Sequence, residues 1–137
     1  MSYYFTTTLQ GPSFGQAIDT VTDALKEKGF GIMTTIDVKQ AMKDKLDKDF
    51  RPYTILGACN PNYAYRALGE ENKIGTMLPC NVVVQQNDDG SIEVSAVDPI
   101  ASMAAIDNSS LGEIDNSSLG EIATEVQGML KSVIEGL

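Results

Sequence analysis

The sequence predicts a single α+β domain spanning residues 1–137, with a mostly antiparallel sheet of about five strands and helices packed on one face. Three observations support this class. Short segments with alternating apolar residues are separated by amphipathic segments with helical spacing. Capping residues stand at the expected helix starts, and Asn87-Asp88-Asp89-Gly90 is typical of a β-hairpin turn.

The first half of the chain predicts two strand–helix pairs. Tyr3 to Leu9 is a strand ended by Gly11-Pro12, and Ser13 to Lys28 is a helix whose Ser13 and Gln16 have capping-box spacing. Phe30 to Ile36 alternates as a half-buried strand. Asp37 then begins a helix to about Lys48, whose buried face is formed by three apolar residues, Val38, Met42 and Leu46.

The second half predicts three more strands and three helical segments. Tyr53 to Ala58 is a strand, and Asn60-Pro61 is a capping residue followed by Pro at the first helical position, which starts a helix to about Leu68. The remaining elements are strands Asn81–Gln86 and Ser91–Val97, a helical turn after Asp98-Pro99, and a final helix to about Glu135. The resulting order is β-α-β-α-β-α-β-β-α-α.

An octapeptide is duplicated in tandem within residues 106–121. Ile106 to Glu113 repeats without change as Ile114 to Glu121, but repeat architectures need longer and more numerous units. Each copy contains a capping box, and only one can begin the last helix. We predict that Ser118 begins it and that the first copy forms a loop or a short separate turn.

Composition excludes several classes of function. The net charge of -9 disfavours nucleic acid and anionic membrane surfaces, because both require clustered Lys and Arg. The sequence has neither a signal-peptide pattern nor an apolar run near the ~20 residues of a membrane span, so we expect a soluble, cytoplasmic protein. The absence of His removes His-based metal sites, Ser-His triads and Cys-His dyads.

The two Cys residues define the candidate site. Cys59 ends the third strand and Cys80 begins the fourth, and each is followed by Asn, as Cys59-Asn60 and Cys80-Asn81. If these strands pair antiparallel, both thiols lie at the same end of the sheet. Cys59 also precedes a helix N-terminus, which favours a thiolate. Buried inert thiols, a reactive pair, a soft-metal site completed by Met77 and a ligand pocket all remain compatible with this pattern.

Three segments resemble the family called domain of unknown function 302. They are Gly29 to Val38, Tyr53 to Pro61 and Leu78 to Val84, and the resemblance covers nearly the whole chain except the duplicated octapeptide. It implies a fold similar to that of TATA-binding protein, dimers in crystals and no established activity. The family pattern commonly has Glu at the position of Thr35 and His at that of Tyr65.

We expect a non-enzymatic ligand-binding or sensing domain, with a small-molecule ligand and a homodimeric state. The ligand would be held where the Cys-Asn turns converge, by the residues Cys59, Asn60, Cys80, Asn81, Tyr65 and Arg66. No cofactor and no metal are expected. The alternatives are a thiol-based redox protein or enzyme that uses Cys59, and a structural module that dimerises through a sheet edge or face.

Overall fold

The computed structural model describes residues 2–104 and 118–137. Its elements follow the chain in this order: β1 (Tyr4–Leu9), α1 (Phe14–Glu27), β2 (Gly31–Asp37), α2 (Val38–Leu46), β3 (Tyr53–Cys59), α3 (Pro61–Glu70), β4 (Cys80–Gln86), β5 (Ile92–Val97), α4 (Pro99–Met103) and α5 (Ser118–Gly136). A short 3₁₀ turn, Ile74–Met77, precedes β4 and was not predicted. Each predicted strand and helix is present, so the α+β class is confirmed.

The five strands form one antiparallel sheet in the order β1-β5-β4-β3-β2. The β4–β5 hairpin lies at its centre, and Gly90 takes the left-handed conformation that its turn requires, with φ of 86°. Strands β1 and β2 therefore lie at opposite edges of the sheet.

One face of the sheet forms the core. Side chains on this face of β3, β4 and β5 are buried against α1, α3 and α5: Leu56, Ala58, Val82, Val84, Ile92, Val94 and Ala96. The residues between them point to the other face and, apart from the buried Gly57, are half-buried or exposed. We call this second side the open face of the sheet.

The helix starts follow the capping signals. Ser13 and Gln16 form a complete capping box at α1. Asp37 accepts a hydrogen bond from the Gln40 backbone N–H, at 2.9 Å, at the start of α2. Asp98 accepts from the N–H groups of Ile100 and Ala101 at the start of α4.

The predicted burial of α2 and β2 is wrong in part. No residue of α2 is buried, and Leu46 is 62% exposed, because α2 contacts β3 without joining the core. On β2 a bulge between Ile32 and Thr34 shifts the register by one residue. The shift moves Ile36 to the open face, opposite Ile55, and leaves it 48% exposed.

The described part of the last helix runs from Ser118 to Gly136, and its predicted start in the second copy of the octapeptide adjoins residues outside the described ranges, so that start stays a prediction. Its buried residues include Ile122, Val126 and Leu130, spaced by four as a core-facing helix requires. The predicted loop at Ile106 to Glu113 lies outside the described residues.

Candidate functional site

The antiparallel pairing of β3 and β4 brings the two Cys residues to the same end of the sheet. Ala58 is the direct partner of Cys80 in the ladder, so Cys59, the next residue on β3, lies one position along from Cys80 and its side chain alternates to the opposite face. Both Cys residues and Asn60 line one cavity beneath α3. The remaining walls are mainly apolar and come from β3, α3, the segment before β4, and α5. We call this space the thiol cavity.

The thiol cavity is small. Its volume of about 30 Å³ is room for one or two water molecules. Small-molecule sites usually occupy about 300–1,000 Å³. A metabolite-sized ligand therefore does not fit in the thiol cavity in this conformation.

The two thiols differ in their surroundings. Cys80 is only 8% exposed, whereas Cys59 is half-buried at the strand end. Burial, and secondarily the nearby Cys59, raises the pKa of Cys80 from 9.0 to about 11. Cys80 is therefore a neutral thiol at physiological pH.

Asn60 stands at the predicted helix start but does not cap the helix with its side chain. Its Nδ2 instead donates to the backbone carbonyl of Lys28, at 3.3 Å, and so ties the end of α1 to the start of α3. Gly29 leaves the space that this contact requires, because a Cβ there would lie 3.0 Å from Asn60 Nδ2. The role of Asn60 in the fold is thus to join two helices beside the thiol cavity.

Tyr63 lines the thiol cavity, whereas Tyr65 was the Tyr predicted from the sequence. A hydrogen bond with Glu125 raises the pKa of Tyr63 above its ordinary value. Arg66 lies 5.5 Å from the Tyr63 ring centroid and 3.9 Å from Glu125, so these three side chains link α3 to α5. The helical spacing of Tyr63 and Ala67, four residues apart, marks the buried side of α3 and was the signal for choosing Tyr63.

Tyr65 and Arg66 do not lie in the thiol cavity. Tyr65 is 81% exposed, and both residues line a separate surface depression with Leu68 and Ile122. This arrangement follows from the helical period, since Tyr65 is two residues from Tyr63 and points away from the face that Tyr63 occupies.

Asn81 also lies apart from the thiols. Consecutive residues of a strand point to opposite faces, so Asn81 is on the open face while Cys80 is on the core face. Asn81 lines a groove with a volume of about 410 Å³. We call this depression the open-face groove; its lining includes Tyr3, Tyr4, Tyr53, Asn81, Val83, Gln85, Glu93, Ser95 and Val97.

Polar side chains in the open-face groove are held by neighbouring residues. Gln85 accepts a hydrogen bond from Arg51 Nε at 2.9 Å and donates to Glu93 at 3.3 Å. Ser95 and Thr6 join their hydroxyl groups at 2.9 Å across the β5–β1 pair. The groove therefore offers amide, hydroxyl and carboxylate groups whose positions are set by the sheet.

Gly57 allows the close packing beside this site. A Cβ at Gly57 would collide with Thr34 Oγ1 and would lie 2.8 Å from Pro79 Cγ. A larger residue would push apart β2 and the segment that leads into β4. The Gly in Gly57-Ala58-Cys59 is therefore required by sterics.

Residues 5–137 match the family described as domain of unknown function DUF302. The chain belongs to the DUF302 family. This membership confirms the resemblance seen in the sequence, and it covers the segments that contain both Cys-Asn pairs. No curated protein matches the chain.

A solved DUF302 structure has a similar fold. The crystal structure of an uncharacterized conserved DUF302 protein from Bacillus stearothermophilus is 26% identical, with a TM-score of 0.81 and coverage of 98% of each chain. That relative is described as uncharacterized, so the site geometry is the basis for a functional proposal.

Within residues 2–104 and 118–137 of this DUF302 domain, three or more Cys, Asp or Glu residues do not cluster in a way that could hold a metal ion. The described helices also include none with the length and apolar character needed to cross a bilayer.

Proposed function

We propose that this DUF302 domain binds a small molecule in the open-face groove. The observation that carries the proposal is a ligand-sized volume lined by three Tyr side chains: the groove measures about 410 Å³, whereas the thiol cavity measures about 30 Å³. The depression beside Tyr65 and Arg66 is larger, about 640 Å³, but its lining has Tyr65 as its single aromatic side chain. Asn81 is the residue of the predicted site that reaches this groove.

The groove lining favours a particular class of ligand. Tyr3, Tyr4 and Tyr53 supply aromatic surface, and Val83 supplies an apolar floor. Aromatic faces bind flat rings and cations. Glu93 and the net charge of -9 oppose an anion. The expected ligand is therefore a ring-containing molecule that is neutral or positively charged.

Two of the three Tyr side chains are already arranged against each other. The rings of Tyr3 and Tyr4 meet edge to face, with centroids 5.0 Å apart. Tyr3 is 68% exposed and Tyr4 is 42% exposed, so both retain area that a ligand would cover. Covering this aromatic surface supplies the apolar part of the binding free energy.

A dye titration tests the proposal, with Nile red as a neutral aromatic probe. Val83→Trp fills the floor of the groove, and we expect it to weaken saturable Nile red binding at least about tenfold, equivalent to about 1.4 kcal/mol. Ile36→Trp is the matched control because Ile36 lies on the same face but outside the groove lining. Absence of saturable binding, or equal weakening by both variants, would refute the proposal.

Native mass spectrometry of the protein purified from its own host complements the titration. A retained small molecule that is present on the wild type and Ile36→Trp, and lost from Val83→Trp, would identify the ligand directly. A retained molecule that survives Val83→Trp would place the binding site elsewhere. The same spectra report the number of subunits.

The second candidate function is formation of a homodimer through the open face, which the apolar residues on that face favour. Ile36, Ile55 and Val83 are consecutive neighbours across β2, β3 and β4 on that face, where a fully hydrated sheet would carry polar residues. Two such faces can pack about 10 Å apart, as in β-sandwiches.

Sedimentation velocity tests the dimer. We expect Ile55→Glu to give a monomer, and Leu68→Glu on α3 to leave the dimer intact because Leu68 is exposed outside the open face. Cys59→Ala and Cys80→Ala should also leave the oligomeric state unchanged. A monomeric wild type, or dissociation by Leu68→Glu alone, would contradict this candidate.

A further inference from the structure

We propose that the Asp89–Gly90 bond is a site of spontaneous isomerisation to isoaspartate, and that Ser91 protects this bond while the protein is folded. The inference is independent of ligand binding in the open-face groove. It depends on three observations: the Asp-Gly pair in the sequence, the backbone conformation of the β4–β5 turn, and the hydrogen bonds that Ser91 makes to Asp89.

The Asp89–Gly90 bond is the least hindered of the bonds that follow an Asp in this chain. Isomerisation begins when the backbone nitrogen of the next residue attacks the Asp side chain, and a side chain on that next residue slows the attack. Every other Asp is followed by a residue that has a side chain, and the sequence contains no Asn-Gly pair. Asp98 is followed by Pro99, whose nitrogen carries no hydrogen.

The turn itself requires this pair. Gly90 has a φ of 86°, a left-handed conformation that favours glycine because a Cβ is disfavoured there. Asp89 suits the position before it because a short carboxylate can bond with the backbone two residues further on. The hairpin therefore places an unhindered backbone nitrogen beside an Asp, and protection of the bond has to come from the surrounding contacts.

The reaction needs no reagent other than water. The Gly90 nitrogen attacks Asp89 Cγ; an N–C bond forms, a C–O bond breaks, and the hydroxyl group of the protonated carboxyl leaves as water with the Gly90 proton. The product is a cyclic succinimide. Water then opens the ring, and opening at the backbone carbonyl leaves the chain running through the Asp89 side chain, which is isoaspartate. One water is released and one is consumed.

Hydrogen bonds in the turn keep the two reacting groups apart. Asp89 Oδ1 accepts from the Ser91 backbone N–H at 2.9 Å and from the Ser91 hydroxyl, so the carboxylate is directed toward Ser91. The Gly90 N–H donates to the Asn87 carbonyl at 3.0 Å. Attack on Cγ requires the carboxyl group to leave Ser91 and the Gly90 nitrogen to leave Asn87, so the folded turn opposes the reaction at both atoms.

Ser91 can hold the carboxylate because it is itself fixed. It is 4% exposed, whereas Asp89 and Gly90 are exposed. Its hydroxyl accepts from Asn87 Nδ2 at 3.1 Å, and its carbonyl accepts from the Asn87 backbone N–H at 2.8 Å. The hydrogen bond from the Ser91 hydroxyl, and then that from its N–H, lower the pKa of Asp89. This reduces the fraction of protonated carboxyl, from which water leaves.

Isoaspartate analysis of the wild type, folded and unfolded, tests the assignment. Samples are kept at neutral pH and one temperature, in buffer or in guanidinium chloride. Electron-transfer dissociation of the peptide 72–93, released by cleavage after Glu71 and Glu93, locates isoaspartate. We expect residue 89 to isomerise at least about tenfold faster in the unfolded chain, because unfolding removes the hydrogen bonds to the carboxylate and from the Gly90 nitrogen.

The variant Ser91→Ala tests the role of Ser91, with Ser95→Ala as the matched control. Ser95 lies on β5, where its hydroxyl bonds with Thr6 and not with the turn. We expect folded Ser91→Ala to isomerise at residue 89 at least about threefold faster than the wild type, because one bond to the carboxylate is lost. Ser95→Ala should match the wild type. Circular dichroism and urea unfolding establish that each variant is folded in the assay.

Three outcomes would overturn the proposal. One is an equal rate in the folded and the unfolded wild type, a comparison that depends on the folding of no variant. Another is isoaspartate that accumulates in the unfolded chain at other residues and not at residue 89. The third is a folded Ser91→Ala that isomerises no faster than the wild type, which would assign the protection to the turn backbone alone.

Discussion

The buried thiol of Cys80 makes the stability of this DUF302 domain depend on alkaline pH. The folded protein has a Cys80 pKa of about 11, raised from 9.0 first by burial and then by Cys59. In the unfolded chain the thiol ionises near pH 9. Above that pH its ionisation stabilises the unfolded state relative to the folded state and so lowers the free energy of unfolding. The stabilising contribution is complete below about pH 9 and is lost as the pH rises through about 11.

The magnitude follows from the two pKa values. Each tenfold change in acid strength corresponds to about 1.4 kcal/mol. At about pH 10 the loss is about 1.4 kcal/mol, and it approaches about 2.7 kcal/mol above pH 11. This is a sizeable fraction of the 5–15 kcal/mol that is typical for a domain.

Urea unfolding of the reduced protein, at several pH values between about 7 and 11, measures this loss. Tyr and Lys side chains also ionise in this range, so the informative quantity is the difference between the wild type and Cys80→Ala. We expect the unfolding free energy of the wild type to fall more steeply above about pH 9, by the amount given above. Cys59→Ala is the matched control and should keep most of the steep dependence. Parallel curves for the wild type and Cys80→Ala would refute the argument.

Three further substitutions test contacts around the site by urea unfolding. Gly57→Ala should destabilise by about 1–3 kcal/mol because its Cβ has no space; Gly75→Ala, with open space around it, is the control, and equal effects would contradict this reason. Asp98→Ala should cost about 1–2 kcal/mol through the lost cap of α4, with Asp98→Asn retaining most of the stability. Asn60→Ala should cost about 1 kcal/mol by freeing the Lys28 carbonyl, and no change would show that water replaces the bond.

Much of the fold could be predicted because its signals are local. The alternation in β4 and β5, the capping residues Ser13 and Asp98, and the turn ending in Gly90 each act within a few residues. The prediction failed where a contact outside the segment decides the outcome. The bulge in β2 turns Ile36 to the open face, and the position of α2 outside the core leaves Leu46 exposed.

The candidate site was predicted in part for the same reason. The antiparallel order of β3 and β4 was enough to place Cys59 at the same end of the sheet as Cys80. That Cys80 and Asn81 point to opposite faces could also have been predicted from the sequence, since neighbouring strand residues face opposite ways. Choosing Tyr63 over Tyr65 required the four-residue spacing of Tyr63 and Ala67 together with knowledge of which side of α3 meets α5.

The sequence alone determined the order of strands and helices, the negative charge and the placement of the two Cys residues at one end of the sheet, because each depends on composition or on short-range pattern. The tertiary structure decided the volume of each candidate site. How closely α3 and α5 approach the sheet limits the thiol cavity to about 30 Å³, and the absence of a core-forming layer over Val83 leaves about 410 Å³ on the open face of the described chain. Volumes of this kind arise from the packing of distant segments, which no local pattern records.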